Sequence, residues 1–326
     1  MSGEFDLIAR HFAPLAGPEG LGLLDDAAMM RPPPGCDLVL TTDANVVGVH
    51  VLTDEAPNVF ARRLLRTNLS DLAAKGARPL GYLLTLALPS EADEAWVGDF
   101  ASGLAIDQDI FDIRLFGGDT VSTSGPAIAN IAMLGQVPEG RMLTRAGGSV
   151  GDDLYVTGGI GDGAFGLDAA SGNLAGLSSA HLAYLDKRYR LPEPRLAFGQ
   201  ALLASHAATA AADVSDGLIA DAGHIALASG CAVEFEAAAV PMSAAGAAVI
   251  AAAPDRWIDG LTGGDDYEIV FAAPPGAQGA IEGVAADVGL PVARIGRFVA
   301  GPAGQATLLD AGGRPMPLTR RGYEHR

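Results

Sequence analysis

Apolar residues recur at helical spacing in two stretches of the first half of the chain, and in four others they alternate or run unbroken. NVFARRLLRTNLSDLAAKG (58–76) carries its apolar positions three and four apart and stops at Gly76, ahead of Pro79, so it reads as a helix. DEAWVGDFASGLAIDQDIF (93–111) reads as a second. DLVLTTD (37–43), GYLLTLALP (81–89), IRLFGGD (113–119) and AIANIAMLGQV (127–137) read as strands, with GYLLTLALP a buried one.

A polar, glycine-rich stretch follows, RAGGSVGDD (145–153), and after it the pattern restarts. DLYVTGG reads as a strand, IGDGAFGLDAAS as a loop entering a helix, and HLAYLDKRYR as a helix. AADVSDGLIADAGHIALAS, VEFEAA, GGDDYEIVFAA and a strand-rich tail complete the chain. The expected fold class is α/β (α+β), with two α/β sandwich domains side by side, 1–148 and 149–326. Both halves set Gly/Asp loops after strands, but no repeat can be demonstrated.

Composition narrows the picture. At 326 residues the chain is comfortable for two domains, and 49% hydrophobic residues supply ample core. Its 43 glycines, roughly 13% against a usual ~7%, show no three-residue period and point to tight turns and close backbone approaches. A net charge of −18 argues against nucleic acid or an anionic membrane as partner. Cys36 and Cys231 make no disulfide framework and fit a reducing compartment. No apolar run reaches the ~18–20 residues of a membrane span, and MSGEFDLIARHF lacks a signal peptide's apolar core, so the expected location is cytoplasmic.

Three nucleotide-binding signatures were weighed. Gly161-Asp-Gly163-Ala-Phe-Gly166 matches G-x-G-x-x-G after a strand, and Asp186 follows at about the distance of a ribose-binding acid. The context fails, because Asp186 sits in a helical stretch rather than at a second strand end, and a tight strand–helix turn explains the glycines. Walker-type loops need a lysine; the chain has only Lys75 and Lys187, neither in that motif. The protein-kinase signatures are absent.

Carboxylates instead recur at strand and loop ends: Asp25 and Asp26 in LLDDAA, Asp43 in TTD, Asp71 in NLSD, Asp119 in FGGD, Asp213 and Asp216 in DVSD, and Asp265 and Asp266 in GGDD. Each alone has an ordinary explanation, such as Asp213 or Ser215 capping the helix that follows. Taken together, they weaken that explanation. Leu69 and Leu72 flank Asp71, which puts it on a core-facing helix side, and a buried carboxylate is costly unless paired or metal-bound. Oxygen ligands without a His/Cys cluster select Mg²⁺ or Ca²⁺. A site this acidic repels bare phosphate, by about 4 kcal/mol per charge pair at 4 Å and an effective dielectric of 20. A bridging cation reverses that sign.

LLDDAA, LTTDANVVGVH, RTNLSDLAAKGA, GGDTVS, RAGGSVGDDLYVTGGIGDGAFGL, LPEPR, ADVSDGL and TGGDDYEI occur in this order, from about Gly3 to His325. This set closely resembles the thiamine-monophosphate kinases, a family of the aminoimidazole-ribonucleotide-synthetase-like superfamily. The resemblance implies an N-terminal α/β domain whose sheet pairs with a second subunit into a barrel, and a C-terminal domain covering the cleft. It implies transfer of the γ-phosphoryl of ATP onto thiamine monophosphate in a homodimer, with several Mg²⁺ ions. By position, Asp26, Thr41, Thr42, Asp43, Asp71, Asp119, Asp213 and Asp216 correspond to the metal shell. Gly118, Asp119, Arg145 and Ser215 correspond to nucleotide contacts, and His50 and Asp265 to substrate contacts. Asp43, Asp71, Asp119 and Arg145 would carry catalysis, by positioning and charge neutralisation.

Three places depart from the family pattern. Gly22-Leu-Leu24-Asp-Asp stands where G-x-G-D-D is common, RAGGSVGDD replaces the more usual R-S-G-A-x-P-G-D, and Arg320 stands at a substrate position where many members place an aromatic ring. The competing readings are another phosphoryl-transfer member of the superfamily and a non-catalytic metal-binding module. The first is disfavoured because Cys36 follows three prolines in a loop and the chain ends Glu-His-Arg rather than in cysteine. Intact acidic positions disfavour the second.

Overall fold

The computed structural model describes residues 4–318 and 320–323. These form two compact units, one of residues 4–72 and 77–140 and the other of residues 73–76, 141–318 and 320–323.

The first unit opens with a short helix, α1 (Glu4–Leu7), and a wound segment reaching Leu23. Its sheet holds β1 (Cys36–Val46), β2 (Arg78–Pro89), β3 (Arg114–Thr123) and β4 (Ile128–Pro138), in the order β1-β4-β2-β3. β4 runs antiparallel to β1 and β2, while β2 and β3 are parallel. Helices α2 (Pro57–Ala74) and α3 (Glu94–Phe111) supply the apolar cover that their periodicity predicts. Phe60, Leu64, Leu65, Leu69 and Leu72 of α2 are buried, as are Val97, Phe100 and Leu104 of α3. Asp107, fully buried on α3, is compensated by Arg66 at 2.6 Å and Arg62 at 3.0 Å.

All four expected strands form; β2 starts three residues earlier than expected, at Arg78, and two strands run well past their expected ends. β1 continues past Asp43 to Val46, and β3 past Asp119 to Thr123. Neither aspartate stands at a strand end. The other face of this sheet is open: Leu40 is 71% exposed, and Leu83 and Val121 are also exposed.

The second unit contains a seven-stranded mixed sheet. Its strands are β5 (Asp153–Thr157), β6 (Ala210–Asp213), β7 (Ala232–Glu236), β8 (Ile269–Ala273), β9 (Val292–Val299), β10 (Ala306–Leu309) and β11 (Pro315–Met316). They lie in the order β11-β10-β7-β9-β5-β8-β6. Helices α4 (Asp162–Ala170), α5 (Ser179–Arg190), α6 (Leu196–Ser205), α7 (Leu218–Ala228), α8 (Ala244–Ala252), α9 (Trp257–Thr262) and α10 (Gln278–Val288) complete it. β8 is buried along its whole length, as its unbroken apolar run requires. Among the described residues no helix is long and apolar enough to cross a membrane.

Candidate active site

In the first unit, the two-residue period of β1 divides the Thr-Thr-Asp triplet between faces. Thr41 and Asp43 share the face paired with buried Met133 and Ile131 of β4, and the Thr41 hydroxyl donates to Asp71 Oδ2 at 2.5 Å. Asp71 reaches that position from α2, half-buried between fully buried Leu69 and Leu72. The Asp43 N–H donates to Asn68 Oδ1 at 3.0 Å, and Asn68 Nδ2 donates to the Leu64 carbonyl at 2.9 Å, so β1 and α2 are fixed in register. Thr42 is on the opposite face, its hydroxyl donating to Asn130 Oδ1 at 3.1 Å.

Asp119 stands beside Thr85 in β3. Only glycine fits just before it, because a Cβ on Gly118 would lie 1.8 Å from the Leu84 carbonyl oxygen. Asp25, Asp26, Gly118, Asp119 and Thr120 line a cleft of about 550 Å³. The sheet order puts β1 and β3 at opposite edges, three strand spacings or roughly 14 Å apart. This unit therefore assembles two groups, Thr41/Asp43/Asp71 and Asp26/Gly118/Asp119. It does not bring them within the 2.0–2.6 Å bond lengths of one Mg²⁺ or Ca²⁺ ion. His50 lies in the turn after β1, where its Nδ1 accepts the Val46 N–H at 3.2 Å.

In the second unit, Asp213 ends β6, 4% exposed, and opens the turn carrying Ser215 and Asp216. Neither Asp213 nor Ser215 caps the next helix, contrary to the sequence expectation. Gly217 is the cap residue, and Asp221, from inside α7, reaches back to accept the N–H groups of Ser215, Asp216 and Gly217 at 3.0, 3.0 and 3.2 Å. Burial, then the charges of Asp213 and Asp216, push the Asp221 pKa well above the ordinary carboxylate value; the Asp216 N–H and Arg145 oppose the shift. The exposed Arg145 thus stands within electrostatic reach of this acidic turn.

The donor chemistry here fits a cation. Oδ1 of Asp221 is buried and has no hydrogen-bond partner among the described residues, and Asp216, Asp221 and His224 each present a ligand atom within 4.8 Å of the others. With Asp213 adjacent, the carboxylates outnumber the nitrogen donor, as suits Mg²⁺.

The turn carrying Asp265 packs against this one. The Asp265 N–H donates to the Ser215 carbonyl at 2.9 Å and the Tyr267 N–H to the Val214 carbonyl at 2.8 Å. Asp265 (φ 64°) and Tyr267 (φ 53°) are both left-handed, a strain of order 1–3 kcal/mol each that surrounding bonds must hold. The Tyr267 hydroxyl donates to Asp265 Oδ1 at 3.0 Å. Below it, fully buried Glu268 accepts from Arg188 at 3.1 Å, Thr157 at 2.7 Å and both Nε and Nη2 of Arg195. Arg195 closes LPEPR, which explains that motif. The Arg320 guanidinium is engaged by Thr262 and Asp259, each at 2.9 Å, beside the start of the same turn.

Asp221, Glu268 and Arg188 lie outside the candidates that the sequence offers, and Asp266 is among them only as the second acid of GGDD. Asp221 had a readable signal: it is an acid on a helix face shared with buried Leu218, Ala222 and Ile225.

The chain matches two family models, the AIR synthase related protein N-terminal domain over residues 24–137 and its C-terminal domain over residues 149–308. The thiamine-monophosphate kinase of Caulobacter vibrioides is 47% identical over 99% of this chain and 90% of its own. The crystal structure of thiamine-monophosphate kinase from Stenotrophomonas maltophilia K279a superposes with a TM-score of 0.79 at 38% identity, covering 89% of this chain and 90% of that one. AaThiL complexed with AMPPCP and TMP gives a TM-score of 0.77 at 25% identity, covering 99% and 97%. These likenesses extend over both units and all the acidic segments described above, so the chain belongs to the thiamine-monophosphate kinase family of the AIR synthase related proteins.

Proposed function

We propose that the protein transfers the γ-phosphoryl group of ATP to thiamine monophosphate, giving thiamine diphosphate and ADP, in the cytoplasm. The observation that carries this reading is the full-length likeness to thiamine-monophosphate kinases at 47% identity. The acidic groups support it. Asp26, Thr41, Thr42, Asp43, Asp71 and Asp119 of the first unit and Asp213 and Asp216 of the second are assigned to several Mg²⁺ ions. Bound magnesium supplies neutralisation of phosphate charge and a fixed geometry for in-line transfer.

The chain's own residues orient the reactants. Gly118, Arg145 and Ser215 are assigned to the nucleotide. His50 and Asp265 are assigned to the thiamine end. Arg320 bonds Thr262 through Nε and Asp259 through Nη2, and its part is assigned to anchoring the tail beside the substrate turn. Incubation with ATP, Mg²⁺ and thiamine monophosphate should yield thiamine diphosphate and ADP in equal amounts. A well-folded sample that forms none would refute the reading.

The same proposal includes a homodimer. Among the described residues β1 pairs along one edge only and β3 is bridged on its outer side at Leu115 by Ala16, and Leu40, Leu83 and Val121 lie on an open sheet face, surfaces that a second copy's sheet would cover by closing a barrel. Asp119 of one copy would then complete the β1 group of the other, which a single sheet keeps apart. Mixing inactive Asp43→Asn and Asp119→Asn chains should restore about a quarter of wild-type activity, because half the dimers are mixed and each holds one intact site of two. No recovery from a mixture proven to exchange subunits would place all ligands of a site in one chain.

A further inference from the structure

The G-x-G-x-x-G segment has no role in the assignments above, yet each of its glycines is required by packing. A Cβ on Gly161 would lie 2.9 Å from the Gly260 Cα, one on Gly166 would lie 2.4 Å from the Leu185 carbonyl oxygen, and one on Gly163 would lie 2.3 Å from the Asp265 carbonyl. Asp186 pairs with Arg190 within α5 at 2.8 Å. The segment is thus pressed against the turn that carries Asp265.

One side chain ties the two together. Asp266 is 1% exposed, and its Oδ1 accepts the N–H groups of Gly161 at 3.0 Å and Gly163 at 2.9 Å, while Oδ2 accepts Gly161 again at 2.9 Å. The Asp266 carbonyl accepts from buried Arg188 at 3.1 Å. Asp266 sits between the two left-handed residues of the turn, so it holds the backbone conformation that Asp265 and Tyr267 would otherwise relax. Its carboxyl faces two amides and, among the described residues, no cationic side chain within bonding distance, and burial raises its pKa to about 8.

We propose that Asp266 is a positioning residue for substrate, tying the Asp265 turn to Gly161 and Gly163, and that the glycine-rich segment is the seat of that turn. The substrate half of the proposal rests on the assignment of Asp265 to thiamine monophosphate. The tie itself does not.

Two variants of the full chain test it, with hydrogen exchange and steady-state kinetics as readouts. In Asp266→Ala, peptides spanning 160–164 and 263–267 should exchange at least about tenfold faster while β5 and β8 keep their protection. KM for thiamine monophosphate should rise about tenfold and KM for ATP stay within about threefold. Asp266→Asn keeps an oxygen for both Oδ1 bonds and should restore both readouts. Gly163→Ala pushes on the turn from the other side and should show the same KM split, which keeps the test open if Asp266→Ala does not fold. Unchanged exchange in Asp266→Ala overturns the tie whatever the role of Asp265. Faster exchange with equal changes in both KM values reduces Asp266 to a structural residue and overturns the proposal. An unchanged KM in Asp265→Asn instead refutes the assignment of Asp265, and with it the substrate half alone.

Discussion

Asp43→Asn, Asp71→Asn and Asp119→Asn are each expected to lower kcat by on the order of 10²–10³-fold, the scale lost when one transition-state charge partner is removed, while the fold persists. Asparagine keeps the shape of each side chain and removes the charge that would hold metal against the developing charge of a loose phosphoryl transition state. Asp71 is the most informative of the three. Its Oδ2 accepts the Thr41 hydroxyl at 2.5 Å, a bond an amide oxygen can keep, so loss of the charge is separable from loss of the contact. Asp43 fixes the strand through its backbone N–H on Asn68, which the substitution leaves intact. kcat measured at saturating Mg²⁺, alongside thermal melts, checks both claims. Near-wild-type turnover in all three variants would remove the magnesium assignment.

The second large effect is on substrate affinity. Asp265→Asn should raise KM for thiamine monophosphate by about tenfold, with a much smaller change for ATP, because the role proposed for the carboxylate is to meet a cationic thiazolium or an aminopyrimidine donor. The carboxylate accepts the Tyr267 hydroxyl and the Asp265 backbone N–H donates to the Ser215 carbonyl, and neither bond needs the negative charge. The substitution thus probes charge recognition without moving the turn. A variant in which only the ATP KM shifts would reassign Asp265 to the nucleotide.

Much of this architecture was legible from period alone. Every helix and strand expected in the first unit forms, because their apolar spacings match the faces they bury. Strand ends were not legible. Asp43 and Asp119 resembled chain-turning residues, but both lie within strands, where pairing with β4 and β2 overrides their weak intrinsic preference for a strand. The grouping of the acids was hidden for a different reason. Thr41, Thr42 and Asp43 look like one ligand set when written as letters, yet a two-residue period sends Thr42 to the other face. The distance from β1 to β3 depends on strand order, which local pattern does not carry. In the second unit the proposed ligands were visible, but the side chains holding them were not. Asp221 and Asp266 act through backbone amides, an interaction with no sequence spacing of its own. G-x-G-x-x-G shows the converse, a recognisable motif whose glycines are fixed by close backbone contact at Gly260, Asp265 and Leu185.

The central claim is that the protein phosphorylates an existing phosphate, so the most direct measurement offers it thiamine monophosphate and free thiamine side by side with labelled ATP and excess Mg²⁺. Thiamine lacks the anionic group that metal or arginine would anchor, and a misplacement of about 1 Å can already cost on the order of 10²-fold. The predicted result is label in thiamine diphosphate from the monophosphate and negligible label in any product of thiamine. Phosphorylation of thiamine as fast as its monophosphate, or of neither, would contradict it.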